Sequence, residues 1–372
     1  MNGERAARAS PGSLGERAAR ASPGSLGERA VATIDLGAIE RNCAQLPGPL
    51  CAVVKADAYG HGIGPAARAA LEGGASWLAV ATAGEARTLR ELGLAPRILV
   101  MGALTAGDLR ICEEADADVV AWTEGVAETG RRVHVKLDTG MGRLGTKDRE
   151  QALHLAARPN VVGLMTHFAT ADERGDDLFP AQLEAFRSFV EEVGRDDVVV
   201  HAANSAAALR DRGSHFDMVR CGIAVYGMDP FQKDPAAHGL EPVLTLRSWV
   251  AAVRRFEPGD SAGYGRRWSA DEPTWVATVP IGYGDGWRRA LTNNCDLLIG
   301  GRRHPLVGTV SMDNVTVALG RDTDVGVGDE VVLIGSQKDE RILAEEVARR
   351  LGTINYEITC GLSARVNRVH VR

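Results

Sequence analysis

The chain has 372 residues, 45% of them hydrophobic and 25% charged, with a formal net charge of -6. That length buries a large core and favours two domains or one barrel with an appendage. The acidic balance argues against a nucleic-acid or polybasic membrane partner. Six cysteines (Cys43, Cys51, Cys112, Cys221, Cys295 and Cys360) are scattered without a CxxC pair, which indicates no metal cluster and fits reduced thiols better than a disulfide framework. No apolar run reaches membrane-span length and the N-terminus lacks the hydrophobic segment of a secretory signal, so a cytoplasmic protein without a membrane partner is expected.

The first 30 residues contain a tandem repeat. GERAARASPGSL at 3–14 recurs at 15–26, and GERA begins again at 27. The copies are too short for a solenoid and too rich in Gly, Ser, Pro and Arg to build a core, so 1–30 is expected to be a disordered leader.

From residue 31 to 244 short apolar runs alternate with helical stretches. The runs are Cys51-Lys55, Trp77-Ala81, Arg97-Met101, Asp118-Trp122, Val133-Leu137, Val162-Thr166, Val198-His201 and Asp217-Cys221. Between them lie segments such as GPAARAALE at 64–72 and AQLEAFRSFVEEV at 181–193. Eight buried strands alternating with helices predict an α/β fold, a (β/α)8 barrel of the TIM type, with its site at the C-terminal strand ends. An open doubly wound sheet gives similar alternation. Lys55, Lys136, His167, Asn204 and Arg220 all fall at those ends or just after them.

Residues 245–372 differ in texture. Leu246-Arg254, Thr274-Val279, Asp296-Ile299, Pro305-Leu319 and Glu330-Ile334 read as strands joined by Gly, Pro and Asp turns, and Leu343 to Leu351 reads as a helix. A second, mainly β domain of sandwich or small-barrel type is expected.

The segment AVVKADAYGHG at 52–62 puts Lys55 at the mouth of a strand. Such a lysine is either a solvated surface charge or an amine held in a cleft, where desolvation makes it the nucleophile a Schiff base requires. Asn204-Ser205 follows the seventh strand and Gly222-Ile223 the eighth, where barrels of this kind commonly bind phosphate. A lysine opposite a phosphate site suggests pyridoxal phosphate, and no GxGxxG turn or Walker loop competes for the phosphate role. Arg220 is then either a structural arginine paired to a carboxylate or a group facing the pyridine nitrogen. In the second case it donates a hydrogen bond but surrenders no proton, which leaves the ring a weak electron sink suited to moving a proton rather than an amino group.

Taken together, AVVKADAYGHG, VKLDTGMGRLG, THFATADE, HAANSAA, VRCGIAVYG, PIGYGDG, VGTVSMDN and TINYEITCGLSARV resemble alanine racemase, in that family's order, from residue 31 to the C-terminus. The resemblance implies a cytoplasmic homodimeric isomerase that uses pyridoxal 5'-phosphate to interconvert L-alanine and D-alanine, a precursor of peptidoglycan in the cell wall. Lys55 matches the cofactor lysine and the base for D-alanine, and Tyr264 the opposite base for L-alanine. Tyrosine is a poor base at an ordinary pKa near ~10. His167 matches the family's partner for that tyrosine.

Arg143 matches the residue that contacts the substrate carboxylate and the cofactor phenolate. Lys136 matches a lysine that many members carry carbamylated to orient that arginine; left as an ammonium it would repel Arg143. Tyr59, Ser205, Gly222, Ile223 and Tyr356 match phosphate ligands, with Asn204 beside them, although Tyr59 and Tyr356 could serve packing alone. Met312 and Asp313 match substrate-pocket positions supplied, like Tyr264, by the partner subunit, and Tyr283 matches an entryway residue. His61 reads better as a turn residue, Cys221 as a buried apolar one, and the acidic Asp172-Glu173 and Asp176-Asp177 as a solvated loop without metal.

Two positions depart from the family pattern: Gly284 stands where alanine is common in GYADG, and Asn367 where RVPR has proline. They bear on loop geometry and not on the chemistry. Alternatives are a racemase of serine, lysine or a broader set of amino acids, and a protein that binds pyridoxal phosphate without turnover. Tyr264 and Met312 speak against the last, since a carrier needs no second base.

Overall fold

The computed structural model describes residues 28–128 and 130–372. The repeats of the leader therefore lie outside the described residues. The end of that leader is inside them. Arg29 forms ion pairs with Asp285 and Asp313 at 3.6 Å each, and its carbonyl accepts a hydrogen bond from Ser248 at 2.7 Å.

The chain divides into two compact units. One comprises Ile34–Leu244, Leu343–Gly361 and Arg368–Arg372, and the other the residues up to Thr33, Thr245–Ile342 and Leu362–Asn367. The late helices Ala344–Leu351 and Asn355–Cys360 thus belong to the first unit, although strands of the second precede them in sequence.

After β1 (Val31–Asp35), the first unit is built on β2 (Leu50–Val53), β3 (Trp77–Val80), β4 (Arg97–Val100), β5 (Asp118–Ala121), β6 (Val133–Lys136), β7 (Val161–Met165), β8 (Val199–His201) and β9 (Val219–Cys221). These runs of Val, Leu, Ile and Ala suit a sheet buried on both faces. All pairings are parallel, in the order β8-β7-β6-β5-β4-β3-β2-β9. Between β8 and β9, Asp217 N–H donates to Val200 O at 3.0 Å and Arg220 N–H to Ala203 O at 2.9 Å, which brings the eight-stranded barrel close to closure.

In-register pairing stacks the polar strand residues in layers. Arg220 lies beside Cys51, Cys51 beside Trp77, and Trp77 beside Arg97; Lys136 lies beside Met165, and Met165 beside His201. The intervening helices start on capping residues. Thr82 and Thr105 each form a capping box, with Glu85 and Asp108 respectively.

The second unit contains β10 (Leu244–Trp249), β11 (Ala252–Phe256), β12 (Thr274–Val279), β13 (Asp296–Ile299), β14 (Arg302–Val307), β15 (Val315–Gly320), β16 (Glu330–Gln337) and β17 (Glu340–Ile342). Antiparallel pairing runs β11-β12-β15-β14-β13-β16-β10, with β17 on β16. Two expected strands are each a pair. Leu246-Arg254 breaks where Val250 N–H bonds Asp329 O and Ala251 N–H bonds Thr278 O, so the chain changes partner from β16 to β12. Pro305-Leu319 is a hairpin that turns at Gly308, whose φ is +78°. Among the described residues no helix is long and apolar enough to cross a membrane.

Candidate active site

A cavity of about 270 Å³ opens in the barrel unit. It is lined by Val53, Lys55, Ala56, Tyr59, Met101, Arg143, His167, Asn204, Ser205, Arg220, Gly222, Ile223, Tyr356 and Cys360. The ten residues expected from sequence to surround a cofactor are all among them. Val53, Ala56, Met101 and Cys360 were not anticipated; the first three sit at or just past strand ends, while Cys360 ends a helix far along the chain.

Lys55 follows β2 after Val54, and the chain then makes a left-handed turn. Ala56, Asp57, Ala58 and Tyr59 all have φ between 53° and 56°. This conformation costs an L-residue roughly 1–2 kcal/mol, so it needs support. Ala56 N–H donates to Glu85 Oε1 at 2.7 Å, Ala58 N–H to Val54 O at 2.9 Å, and Asp57 Oδ1 accepts from Ile63 N–H at 2.7 Å. Gly60 closes the turn at φ +84°, where an added Cβ would lie 2.3 Å from Thr359 O. Burial first, then the charge of Arg143, lowers the Lys55 amine below its usual range, while Glu85 and Cys360 oppose the fall.

The opposite wall is built for an acceptor-rich ligand. Ser205 Oγ accepts from Gly222 N–H at 3.0 Å and Ala224 N–H at 3.3 Å, which leaves its own proton free to donate. A Cβ on Gly222 would fall 2.2 Å from the Tyr59 hydroxyl, so only glycine there lets that hydroxyl approach. Asn204 faces inward from a capping position, with its side chain accepting from Ala207 N–H.

Arg220 is buried. Nη1 meets His201 Nδ1 at 2.7 Å, and Nη2 meets Thr166 O at 2.9 Å, Ala202 O at 3.0 Å and His167 Nδ1 at 3.3 Å. None of these partners is a carboxylate, which excludes the ion-paired alternative. Burial brings the guanidinium down to about 10, so it remains a cation. Burial and then Arg220 hold His167 well below its ordinary value. A neutral His167 that accepts at Nδ1 carries its proton on Nε2.

Arg143 rides on the loop after β6. Asp138 Oδ1 organises that loop by accepting from the N–H groups of Gly140, Met141 and Gly142 at 2.8–3.1 Å. Arg143 itself makes no hydrogen bond or ion pair with the described residues. Lys136 ends β6, buried, its side-chain amine also without such a partner, and burial followed by Arg220 and Arg143 pulls that amine down to about 8.

Tyr264, Tyr283, Met312 and Asp313 lie in the β unit. Their loops are stitched together: Thr309 Oγ1 donates to Tyr264 O, Tyr283 N–H to Ser311 O, and Gly284 N–H to Met312 O. Tyr264, Tyr283 and Met312 are exposed, Tyr264 at 74%. Gly284 leaves room for Arg365, whose Nη1 lies 2.4 Å from where a Cβ would stand, and Arg365 pairs with Asp285 and Asp313. Asn367 donates to Glu28 Oε1 at 2.8 Å.

The less favoured candidates are also placed. His61 is buried, its Nδ1 2.9 Å from Ala58 O and its ring stacked on Tyr226. Cys221 is a buried free thiol, and all six cysteines are free.

The alanine racemase N-terminal domain model matches residues 34–230 and the alanine racemase C-terminal domain model residues 243–370. "Alanine racemase 1" of Bacillus subtilis is 41% identical over 360 residues, covering 91% of this chain and 92% of its own. The crystal structure of alanine racemase from D-cycloserine-producing Streptomyces lavendulae superposes with a TM-score of 0.86 at 37% identity, covering 93% of this chain and 97% of its own. That of the Bacillus anthracis enzyme with bound L-Ala-P gives 0.82 at 37% identity over 93% and 95%. With both halves matched, and a barrel cavity joining a lysine to an arginine that has no carboxylate, this chain belongs to the alanine racemase family.

Proposed function

We propose that Lys55 and Tyr264 are the two bases with which this pyridoxal phosphate-dependent racemase interconverts L-alanine and D-alanine, the source of D-alanine for peptidoglycan. What carries the reading is the company Arg220 keeps: a buried cation at the cavity wall whose protein partners are two imidazoles and two carbonyls. An arginine so placed donates to a ring nitrogen and gives up no proton. The cavity fits the cofactor on its own chemistry. Lys55 would hold its aldehyde carbon, Ser205, Gly222, Ile223, Tyr59, Tyr356 and Asn204 its phosphate, and Arg220 its ring nitrogen. When bound, the cofactor withdraws electrons from the substrate Cα and makes its proton removable.

The chain's own residues then have distinct tasks. Lys55, its amine lowered by burial and Arg143, takes or returns the Cα proton on one face. Tyr264 does so on the other. His167, neutral and protonated on Nε2, would donate to the Tyr264 oxygen and support its phenolate form. Arg143, without a protein partner, is free to hold the substrate carboxylate and the cofactor phenolate. Carbamylation of Lys136 would turn its repulsion of Arg143 into attraction. The lowered amine favours that reaction, because only the neutral form attacks carbon dioxide.

Met312, Asp313 and Tyr283 share the exposed loop cluster of Tyr264. We assign that cluster to the site of a partner subunit in a cytoplasmic homodimer, with Tyr283 at its entry. The functional division we adopt is a leader at 1–30, a cofactor domain at 31–244 that also recruits Tyr356, and a second domain at 245–372 that carries Tyr264.

Subunit mixing tests this. Lys55→Ala and Tyr264→Phe should each lose L-alanine racemisation, and dimers exchanged between them should regain about a quarter of wild-type turnover, half the dimers being mixed with one intact site each. Unchanged activity of Tyr264→Phe refutes its role, and absence of recovery after proven exchange refutes the shared site.

A further inference from the structure

Arg220 has no anion beside it, yet it is tied to one. A file of hydrogen bonds runs from it through the barrel interior: Nη1 to His201 Nδ1 at 2.7 Å, His201 Nε2 to His134 Nδ1 at 2.7 Å, and His134 Nε2 to Asp118 Oδ2 at 3.2 Å. Asp118, His134 and His201 are each 0% exposed, and Arg220 is 3% exposed. Arg97 and Arg132, both part-exposed, bind Asp118.

Chemistry allows this file one direction only. A guanidinium donates and never accepts, so His201 Nδ1 is the acceptor and bears no proton. A neutral imidazole then carries its proton on Nε2, and His201 donates to His134 Nδ1. By the same step His134 donates from Nε2 to Asp118. Reversing either ring sets two donors or two acceptors face to face. Burial, then Arg220, holds His201 far below its ordinary value, and at His134 burial outweighs the pull of Asp118. Burial pushes the Asp118 carboxyl up, but His134, Arg132 and Arg97 together keep it below its ordinary value and ionised.

Such a file is expensive in a core that branched aliphatic residues could fill, because every member must be desolvated. The barrel makes room for it. Gly163 pairs with His134 across β6 and β7, and a Cβ there would stand 2.1 Å from His134 Nδ1.

We propose that Asp118, His134 and His201 are positioning residues, which fix Arg220 as a one-way donor to the cavity. A carboxylate beside Arg220 could pass a proton to a bound ring nitrogen. Placing the carboxylate two imidazoles away, where Arg97 and Arg132 pair with it, keeps the file polarised in one direction and removes the acid. Only the last contact, Arg220 to the ligand, rests on the function proposed above.

Histidine nitrogen NMR of the full chain, with and without pyridoxal phosphate, tests it. Both rings should be neutral and protonated at Nε2 from about pH 6 to 8, with two slowly exchanging imidazole protons. A protonated ring, or the Nδ1–H form of either, overturns the proposal. Asp118→Asn should move the His201 signals, although His201 does not touch Asp118, and should shift the visible absorption of the bound cofactor. Restoration by Asp118→Glu supports the role. A shift confined to His134, with the absorption band unchanged, overturns it. Failure to bind pyridoxal phosphate, with both tautomers as stated, would overturn the proposed function and leave the hydrogen-bond file supported.

Discussion

Replacing Lys136 by methionine should make the protein more stable at neutral pH in buffer free of carbon dioxide. The ammonium is buried at the end of β6, has no hydrogen-bonding partner, and is close enough to Arg220 and Arg143 for both to depress it. A fall from 10.5 to about 8 corresponds to roughly 3 kcal/mol of unfavourable charging, taken as an order of magnitude. The sign follows from proton counts. Below pH 8 the lysine is protonated whether folded or not, and the whole penalty is present. Between about 8 and 10.5 the unfolded chain binds more proton than the folded one, so stability rises with pH and the penalty is relieved. Methionine matches the stem in volume without the charge. Lys136→Met should therefore gain about 1–3 kcal/mol at pH 7 in denaturant unfolding of the unliganded protein, with the gain shrinking as pH climbs toward 10.5. Addition of bicarbonate should close part of the gap in the wild type alone. A destabilised variant, or a difference that ignores pH, would show that Lys136 already has an internal counter-charge.

Two further substitutions probe the walls of the cavity. Glu85→Gln removes the charged acceptor of the Ala56, Ala81 and Thr82 N–H groups and puts an amino group opposite either Ala56 or the other two, so it should lose about 1–2 kcal/mol in thermal or chemical unfolding. It also removes a charge that favours protonated Lys55, so the pH midpoint for borohydride-trapped attachment of pyridoxal phosphate should move to lower pH; an unmoved midpoint would break the link between Glu85 and Lys55. Gly222→Ala should weaken pyridoxal phosphate binding at least about tenfold, about 1.4 kcal/mol, in a fluorescence titration, because the new methyl group takes the place of the Tyr59 hydroxyl. Unchanged affinity would remove Tyr59 from the phosphate site.

The barrel was legible because each of its strands is a short apolar run, and the site because Lys55, Lys136, His167, Asn204 and Arg220 fall at or just after strand ends that converge by topology. Glu85 was not. Its importance comes from a left-handed turn that local propensity disfavours, and nothing in KADAYG announces four successive positive φ values. Nor were Asp118 and His134. Both sit inside runs read as buried strands, and only the register that sets Val120 beside His134 and His134 beside Gly163 shows which side chains share the interior. The hairpin at Gly308 was hidden for a related reason: Leu306-Val307 and Val315-Thr316 have the same composition as a continuous strand, and pairing partners decide where the chain turns. The helix bearing Tyr356 belongs with the barrel because of contacts made by the folded chain, which no composition shift marks.

Lys55, Lys136, Arg143 and Arg220 gather where the acidic neighbours, Glu85 for Lys55 and Asp138 for Lys136, are each already engaged by three backbone amides. The two histidines nearest Arg220 are neutral and add no compensation. Mutual repulsion in a partly desolvated space falls on the groups able to release a proton, which are the lysines and not the arginines. The same imbalance that weakens the unliganded fold therefore shifts Lys55 toward its neutral, nucleophilic form. It also sets what the cavity will accept. A neutral occupant would leave the cations unmatched, whereas a phosphate on one side and a carboxylate on the other relieve both. Selection for an anionic cofactor and an anionic substrate then follows from the charge that activates the base, with Asp118 kept remote so that Arg220 contributes to that field and never to proton supply.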